Sequence, residues 1–541
     1  MCRGTDLQFL RPLEQSVWDD DVLLHDRCVS LAELGLVLPQ KRMELVGRKP
    51  DRDCQQEPEC AGTWPAQFAE NRMLAGPEIT IRHCFDRVNL LPTGTFYLRE
   101  RFVMRVNQLC SYVGGGAGMA ARRLHESLLA ADVQSRFWYW KLHKDIEIDD
   151  TFQEMTWANQ KLSGPRRTIE RVVTKVRKSI FRHQVKRASA GRSSRYEMFS
   201  PAYLPNRTPL DHDFVHGDIL QLHWVSDLID HKSFFASIPD SLPIVWTLHD
   251  MNPFSGGCHY ANGCEKYATG CESCPQLANP SQRDLSARSF RIKLYALQSK
   301  NLHVVTPSHW LQREARRSRV FAGAKSFQTI HNGLDTDIYS PRERSKVRRK
   351  LKLPDDVTVI GFGAHSLGAQ RKGFHLLLDA LAKLQTETKV MGLVFGSGSV
   401  PDSDGNLPTI RTAGVVNDQR DQSDIYSAFD MVVIPSIEDN LPNIGVEAMA
   451  CGTPVIAFDT GGIPDYVHPN ETGLLANVGD SDDLARQISW LVDRPEEIRR
   501  MGNNARQLAI RQFNASIQVH KYIELYESIL HTCVQQTKVA A

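Results

Sequence analysis

Pro435-Ser436-Ile437-Glu438-Asp439-Asn440-Leu441-Pro442-Asn443-Ile444-Gly445-Val446-Glu447-Ala448-Met449-Ala450-Cys451-Gly452-Thr453-Pro454-Val455-Ile456-Ala457 decides how the chain is read. It begins where the apolar run Met431 to Ile434 ends, a run that reads as a buried parallel strand. A polar loop follows, then Pro442 at a helix start, a short helix, and Gly452 at its C-cap. A second buried strand, Pro454 to Phe458, comes at once. Open α/β sheets bind ligands outside the carboxyl ends of their strands, so a site is expected in this loop. Asp439 and Glu447 lie eight positions apart across it.

At 541 residues the chain is long enough for two or three domains, each with its own core. The net charge of +2 gives no argument for a nucleic-acid partner, and none is expected. With 41% hydrophobic and 24% charged residues, the composition is that of an ordinary globular protein. No apolar run reaches eighteen residues, so no transmembrane helix is predicted. Met1-Cys2-Arg3-Gly4-Thr5-Asp6 lacks the apolar core of a signal peptide. A cytoplasmic, reduced setting is therefore expected, with the twelve cysteines as thiols or metal ligands.

Residues 1–103 carry scattered Cys, Asp, Arg and Pro without a sustained period, and read as an atypical extension. The expected natural start is Met104, which opens the strand-like run Met104 to Leu109; a genuine accessory segment is the alternative. From there strand and helix patterns alternate: Val106 to Leu109, a helix over Ala117 to Ala130, then Ile219 to Trp224, Ile244 to Leu248 and Leu302 to Thr306 as strands. The alternation restarts with Val357 to Phe362. Helices are expected over Phe374 to Leu384 and Ile425 to Phe429. Two such arrays predict two doubly wound, Rossmann-like domains, over 104–325 and 326–512. Residues 513–541 are left as a terminal helix and tail.

An insert at 165–192 stands apart. Between 166 and 192 it holds ten Lys or Arg and one acid, Glu170. Ile169, Val172, Val173, Val176 and Ile180 recur at helical spacing, as in a basic amphipathic helix that lies on anionic lipid. A solvated helix on the domain edge, or a linker, would read the same way.

The pair Asp439 and Glu447 resembles the carboxylate-x7-carboxylate signature of family 4 glycosyltransferases (glycosyl transferases group 1). The likeness covers roughly residues 104–530. It implies the GT-B fold: α/β, with two Rossmann-like domains facing across a cleft and a C-terminal helix, here Ile517 to Thr532, crossing back to the first. It also implies a role for each matching residue. Gly115 and Gly116, in the glycine loop after the first strand, would face the donor diphosphate, where glycine lets backbone approach phosphate. His249, just past the strand ending in Thr247, would contact the donor sugar. Lys372, with Arg371 beside it, would neutralise the diphosphate leaving group. Glu447 would hold the ribose hydroxyls. Asp439, usually Glu in the family, would lie near the sugar, with Glu438 as the adjacent alternative. Asn440, Leu441 and Asn443 would offer amides to sugar and diphosphate. His331-Asn332-Gly333-Leu334-Asp335 resembles the family's interdomain segment. Gly363-Ala364-His365-Ser366 departs from the pattern, since many members carry an arginine there.

Cys258, Cys264, Cys271 and Cys274 fall within seventeen residues, the span 258–274. Such a set suits tetrahedral structural zinc, although the Cys-x5-Cys gap is not a standard knuckle; free thiols or two loop disulfides remain open. The stretch from His249 to Leu277 also looks like a polysaccharide-assembly subgroup of the family.

The resemblance implies a retaining, hexosyl-type transferase working without a catalytic metal or cofactor. It would move a sugar from a UDP or GDP donor to a glycan or lipid-linked glycan, in the cytoplasm or at the inner face of the cell membrane. The rival is a non-catalytic nucleotide-sugar-binding or scaffold protein on the same fold.

Overall fold

In the computed structural model, the residues described are 26–29, 96–99, 104–143, 146–156, 164–205, 213–400 and 407–540. The chain divides into two units. One comprises Asp6–Val103, in which β1 (Asp26–Val29) pairs antiparallel with β2 (Phe96–Arg99). The expectation of an atypical extension over 1–103 otherwise falls outside the described residues.

The other unit, which contains Met104–Ala541, carries two parallel sheets. The first is built from β3 (Arg105–Tyr112), β4 (Gln134–Lys141), β5 (Phe152–Glu154), β6 (Ile219–Leu222), β7 (Ile244–Thr247), β8 (Leu302–Thr306) and β9 (Ser326–Thr329). Its order is β5-β4-β3-β6-β7-β8-β9. Its helices are α1 (Gly115–Ala130), α2 (Gly164–Ala188), α3 (His231–Ser237), α4 (Leu285–Leu297) and α5 (His309–Arg317). After α6 (Arg344–Lys350) the second sheet begins. Its elements are β10 (Thr358–Ser366), α7 (Phe374–Leu381), β11 (Val390–Ser397), β12 (Ile410–Thr412), α8 (Gln419–Ala428), β13 (Met431–Ile434), α9 (Asn443–Ala450), β14 (Val455–Phe458) and β15 (Gly473–Ala476). Its order is β12-β11-β10-β13-β14-β15.

The fold is therefore α/β with two doubly wound sheets. In each, strand order reverses once, between β3 and β6 and between β10 and β13, and ligand crevices form at such points. The central strands β6, β7, β13 and β14 are buried at every residue, which is why they read as unbroken apolar runs.

Three helices end the chain: α10 (Ser481–Val492), α11 (Pro495–Phe513) and α12 (Ala515–Ala540). α12 returns to the first domain, where Val519, Tyr522, Leu525, Tyr526 and Ile529 join the core of Val106, Leu124, Leu128, Ile219 and Val245. Burying Leu525 and Ile529 there contributes about 2 kcal/mol each. Tyr526 donates to Gln221 at 2.9 Å, and the Tyr522 hydroxyl meets that of Thr247 at 2.7 Å.

Several helix ends differ from the sequence reading. α1 starts two residues earlier, at Gly115, and α7 stops at Leu381 rather than Leu384. α8 starts at Gln419, not Ile425, because Asp418 caps it by accepting from the Arg420 and Asp421 amides. The polar first turn hid that start from an apolar-period reading.

Candidate active site

Two helix N-termini meet where the domains face each other. α1 follows Gly114 with no side-chain cap and no acid in its first turn. α9 follows Pro442, also without a side-chain cap. Asn443 Nδ2 donates to Gly116 O at 3.5 Å, across the domain boundary. Gly115 has φ +67°, a left-handed conformation that favours glycine, and a Cβ added at Gly115 or Gly116 would meet no atom within 4 Å. First-turn N–H groups without a side-chain cap on both helices give this place a partial positive charge, suited to an anion. Gly115 and Gly116 thus belong to a helix turn rather than to a free loop.

Beside these termini lies a buried cationic cluster. Gly373, with φ +71°, turns the chain so tightly that a Cβ there would lie 1.8 Å from Pro435 O. This close approach brings Arg371 and Lys372 against the loop after β13. Lys372 Nζ lies 2.7 Å, and Arg371 Nη1 3.0 Å, from Asp439 Oδ2. Burial alone would push the Asp439 carboxyl up, but Lys372 and Arg371 outweigh it and hold the group at about 2. Arg371 also pairs with Glu197 at 2.8 Å and stacks over the Tyr260 ring at 3.9 Å. Glu438 turns away, accepting from the Ala261 and Asn262 amides at 3.3 and 2.7 Å. Asp439 is thus the acid that faces the two cations. His365, in the stretch that lacks the family's arginine, is exposed.

His249 sits at the end of a polar chain behind β7. Its Nε2 meets His223 Nδ1 at 3.2 Å, and His223 Nε2 meets Gln108 Oε1 at 2.9 Å. An acceptor at Gln108 makes His223 Nε2 a donor and His223 Nδ1 an acceptor, so His249 donates through Nε2 and keeps a lone pair on Nδ1. Burial lowers His249 to about 4, so its ring is neutral. Its carbonyl accepts from Asn440 Nδ2 at 3.1 Å, and Asn440 Oδ1 accepts from Ser308 Oγ at 2.6 Å. Asn440 therefore joins the domains. The Leu441 side chain lies in the second domain's core, which leaves only its backbone to face a ligand.

Glu447 is buried between the domains. Its carboxylate accepts from Arg123 of α1 at 2.9 Å and from the Tyr426 hydroxyl at 2.8 Å. Arg123 also reaches the Tyr339 hydroxyl at 3.1 Å, while its Nε is buried with no partner among the described residues. A buried donor left without an acceptor carries a desolvation penalty that a bound ligand can relieve.

Cys258, Cys264, Cys271 and Cys274 line one cavity of about 20 Å³ beside the loop that carries Tyr260. Among the described residues, only His309, His331 and Asp465 bring three metal-ligand atoms within 4.8 Å of one another.

The sequence reading did not single out Arg123, Tyr426, Glu197, Tyr260 or His223. Arg123 had a usable signal: it sits in the apolar phase of α1, between Ala120 and Leu124, where a charge needs a buried partner.

Residues 354–494 match the sequence family described as Glycosyl transferases group 1. Over 213 residues the chain is 26% identical to N-acetyl-alpha-D-glucosaminyl L-malate synthase of Bacillus anthracis, covering 38% of this chain and 55% of that protein. Over 311 residues it is 27% identical to D-inositol 3-phosphate glycosyltransferase of Mycobacterium sp. (strain KMS), covering 54% and 63%. The chain spans about half the length of the curated relatives it matches. Among solved structures it resembles Anabaena HepE in complex with UDP-glucose, with 17% identity and a TM-score of 0.52 over 79% of this chain and all of that one. The likeness is one of fold, and that fold is GT-B.

Proposed function

We propose that this chain, whose residues 354–494 match the family of glycosyl transferases group 1, is a retaining glycosyltransferase. It moves a hexosyl group from a nucleotide-sugar, UDP or GDP linked, to a glycan or lipid-linked glycan in polysaccharide biosynthesis. One observation carries this reading: two uncapped helix N-termini, Lys372 and a buried carboxylate, Glu447, converge on one interdomain site.

The donor diphosphate lies against the N-termini of α1 and α9, with Lys372 turning from Asp439 toward it. Glu447 accepts from the ribose hydroxyls, and Arg123 Nε, without a partner among the described residues, donates to an oxygen of the same nucleotide. The bond from the sugar C1 to the phosphate oxygen breaks, its electron pair passing to the diphosphate. Lys372 and the helix N-termini stabilise that charge. The acceptor oxygen bonds to C1 on the face the diphosphate leaves, and its proton passes to a departing phosphate oxygen. His249, neutral, positions the sugar by hydrogen bonds and takes no part as a cation. No metal enters these steps. UDP is favoured over GDP by the resemblance to a structure that holds UDP-glucose.

The lipid-linked acceptor and a peripheral membrane contact are supported by α2. Ile169, Val172, Val176 and Ile180 form one stripe, each more than half exposed. Arg171, Lys175, Lys178, Arg182 and Lys186 run beside it, all exposed. The helix is held through its other side, where Thr174 is buried and Phe181 packs on Tyr203. Such a face fits the boundary of an anionic membrane.

The test is nucleotide release from UDP- and GDP-sugars with and without EDTA, with proton NMR of the anomeric centre in the product. Release that survives EDTA and gives the donor's anomeric configuration supports the proposal. Binding without any release, to water or to acceptor, would favour the scaffold reading.

A further inference from the structure

The segment 251–284 links β7 to α4 with no strand or α-helix, only 3-10 turns at Asn252–Phe254 and Lys266–Ala268. Connections of that length inside a compact domain need something other than secondary structure to fix them. This one is well ordered in its contacts. His259 pairs with Asp250 at 2.7 Å, Tyr260 carries the Arg371 guanidinium, and the Ala261 and Asn262 amides bind Glu438 of the second domain. The loop therefore forms one wall of the proposed donor site.

We infer that Cys258, Cys264, Cys271 and Cys274 bind one zinc ion as a tetrathiolate and that this ion fixes the loop. All four line the same cavity, whose volume of about 20 Å³ has room for one water-sized sphere. The Gly256 amide already donates to Cys271 Sγ at 3.1 Å, the kind of N–H to sulfur bond that orients a thiolate ligand.

The stronger argument is charge. Lys293 is fully buried, and among the described residues its ammonium bonds to Asn252 O, Asn252 Oδ1 and Ser255 O. No carboxylate pairs with it among the described residues; the ionisable groups close enough to act on its charge are Cys258, Cys271 and Asp250, and Asp250 also pairs with His259. Arg192 likewise bonds to the Gln276 carbonyl and side chain and the Glu197 carbonyl, and lies within reach of Cys274 and Cys258. Four thiols that release four protons to one Zn²⁺ leave a complex of net charge −2. Lys293 and Arg192 balance it. Two disulfides, or four neutral thiols, would take that counter-charge away from the buried Lys293 and leave it only Asp250, which is shared with His259.

No three of the four sulfurs lie within 4.8 Å of one another. Zinc–sulfur bonds of about 2.3 Å set tetrahedral sulfurs about 3.8 Å apart. Binding thus draws the loop inward around the cavity.

The experiment is elemental analysis of the full chain, purified under reducing conditions without added metal. The expected result is about one zinc per chain, released in full when a mercurial blocks the thiols. Cys274→Ser is expected to lose the zinc, whereas Cys451→Ser, at a buried cysteine of the second domain, keeps it. If Cys274→Ser does not fold, cobalt added to reduced wild-type protein freed of metal should give the absorption of a tetrahedral thiolate complex. Metal-free native protein that shows no such absorption with cobalt would overturn the inference. So would intact-mass evidence of two disulfides among these four residues. Both readouts are independent of transferase activity.

Discussion

Arg123 of α1 donates to Glu447 of α9 at 2.9 Å, and both side chains are about nine-tenths buried. The two residues belong to different domains and stand 324 positions apart in sequence. A buried ion pair is weak evidence of net stabilisation, but removing one partner strands the other.

Arg123→Ala is therefore expected to destabilise the protein by roughly 3–5 kcal/mol, read by urea unfolding. Glu447→Gln keeps the shape and the Tyr426 contact, and should cost less stability while lowering donor affinity by about tenfold or more, a loss near 1.4 kcal/mol. Equal affinities in Glu447→Gln and wild type would remove Glu447 from the donor site.

Lys372→Met removes the cation placed to meet the leaving diphosphate. Losing one such preorganised group is expected to lower kcat by about 10²- to 10³-fold, in a steady-state assay of nucleotide release. A variant that loses only KM would show that Lys372 binds ground state and transition state equally.

Asp439 gives a pH signature. Its carboxyl is held at about 2, below an ordinary value of 3.8. The unfolded chain takes up the proton first as pH falls, so the stabilisation is whole above pH 4 and disappears between about pH 4 and 2. It amounts to about 2 kcal/mol. The stability difference between wild type and Asp439→Asn, followed by denaturant titration, should be flat from pH 7 to 4 and shrink below that.

His249 should contribute no ionisation near neutrality. Burial lowers it from 6.5 to about 4, so its contribution to stability is full above pH 6.5 and is lost as pH falls toward 4. The pH profile of kcat/KM should therefore lack an acid limb near 6.5 that disappears in His249→Gln. If such a limb is present in wild type and absent from the variant, His249 titrates in the working range.

Much of this site was legible in sequence because it is local. The buried strands β13 and β14 read as apolar runs, and the loop between them carries the carboxylate-x7-carboxylate spacing whose family resemblance pointed to Asp439 and Glu447. Lys372 followed from its match to the family's lysine ahead of α7. The partners of these residues were not legible. Arg123 comes from the other domain, and Glu197 and Tyr260 approach Arg371 from irregular segments that carry no period. Tertiary closure decides such pairs, and no window of sequence contains both members. Spacing favoured Asp439 over Glu438, but it could not show that the Ala261 and Asn262 amides draw Glu438 aside.

The α2 face makes a separate prediction. The chain should co-sediment with vesicles containing anionic lipid and not with neutral ones, and binding should weaken with salt. Replacing Ile169, Val172, Val176 and Ile180 with serine should abolish it without changing nucleotide-sugar affinity, because all four side chains are exposed. Unchanged sedimentation of that variant would mean that α2 is not the contact.

Calorimetric titration of the full chain with UDP- and GDP-sugars tests the central claim most directly. Saturable one-to-one binding of one nucleotide-sugar is predicted, weakened at least tenfold by Lys372→Met and by Glu447→Gln. A folded chain that binds none of these donors, or binds one equally well in both variants, would contradict the account.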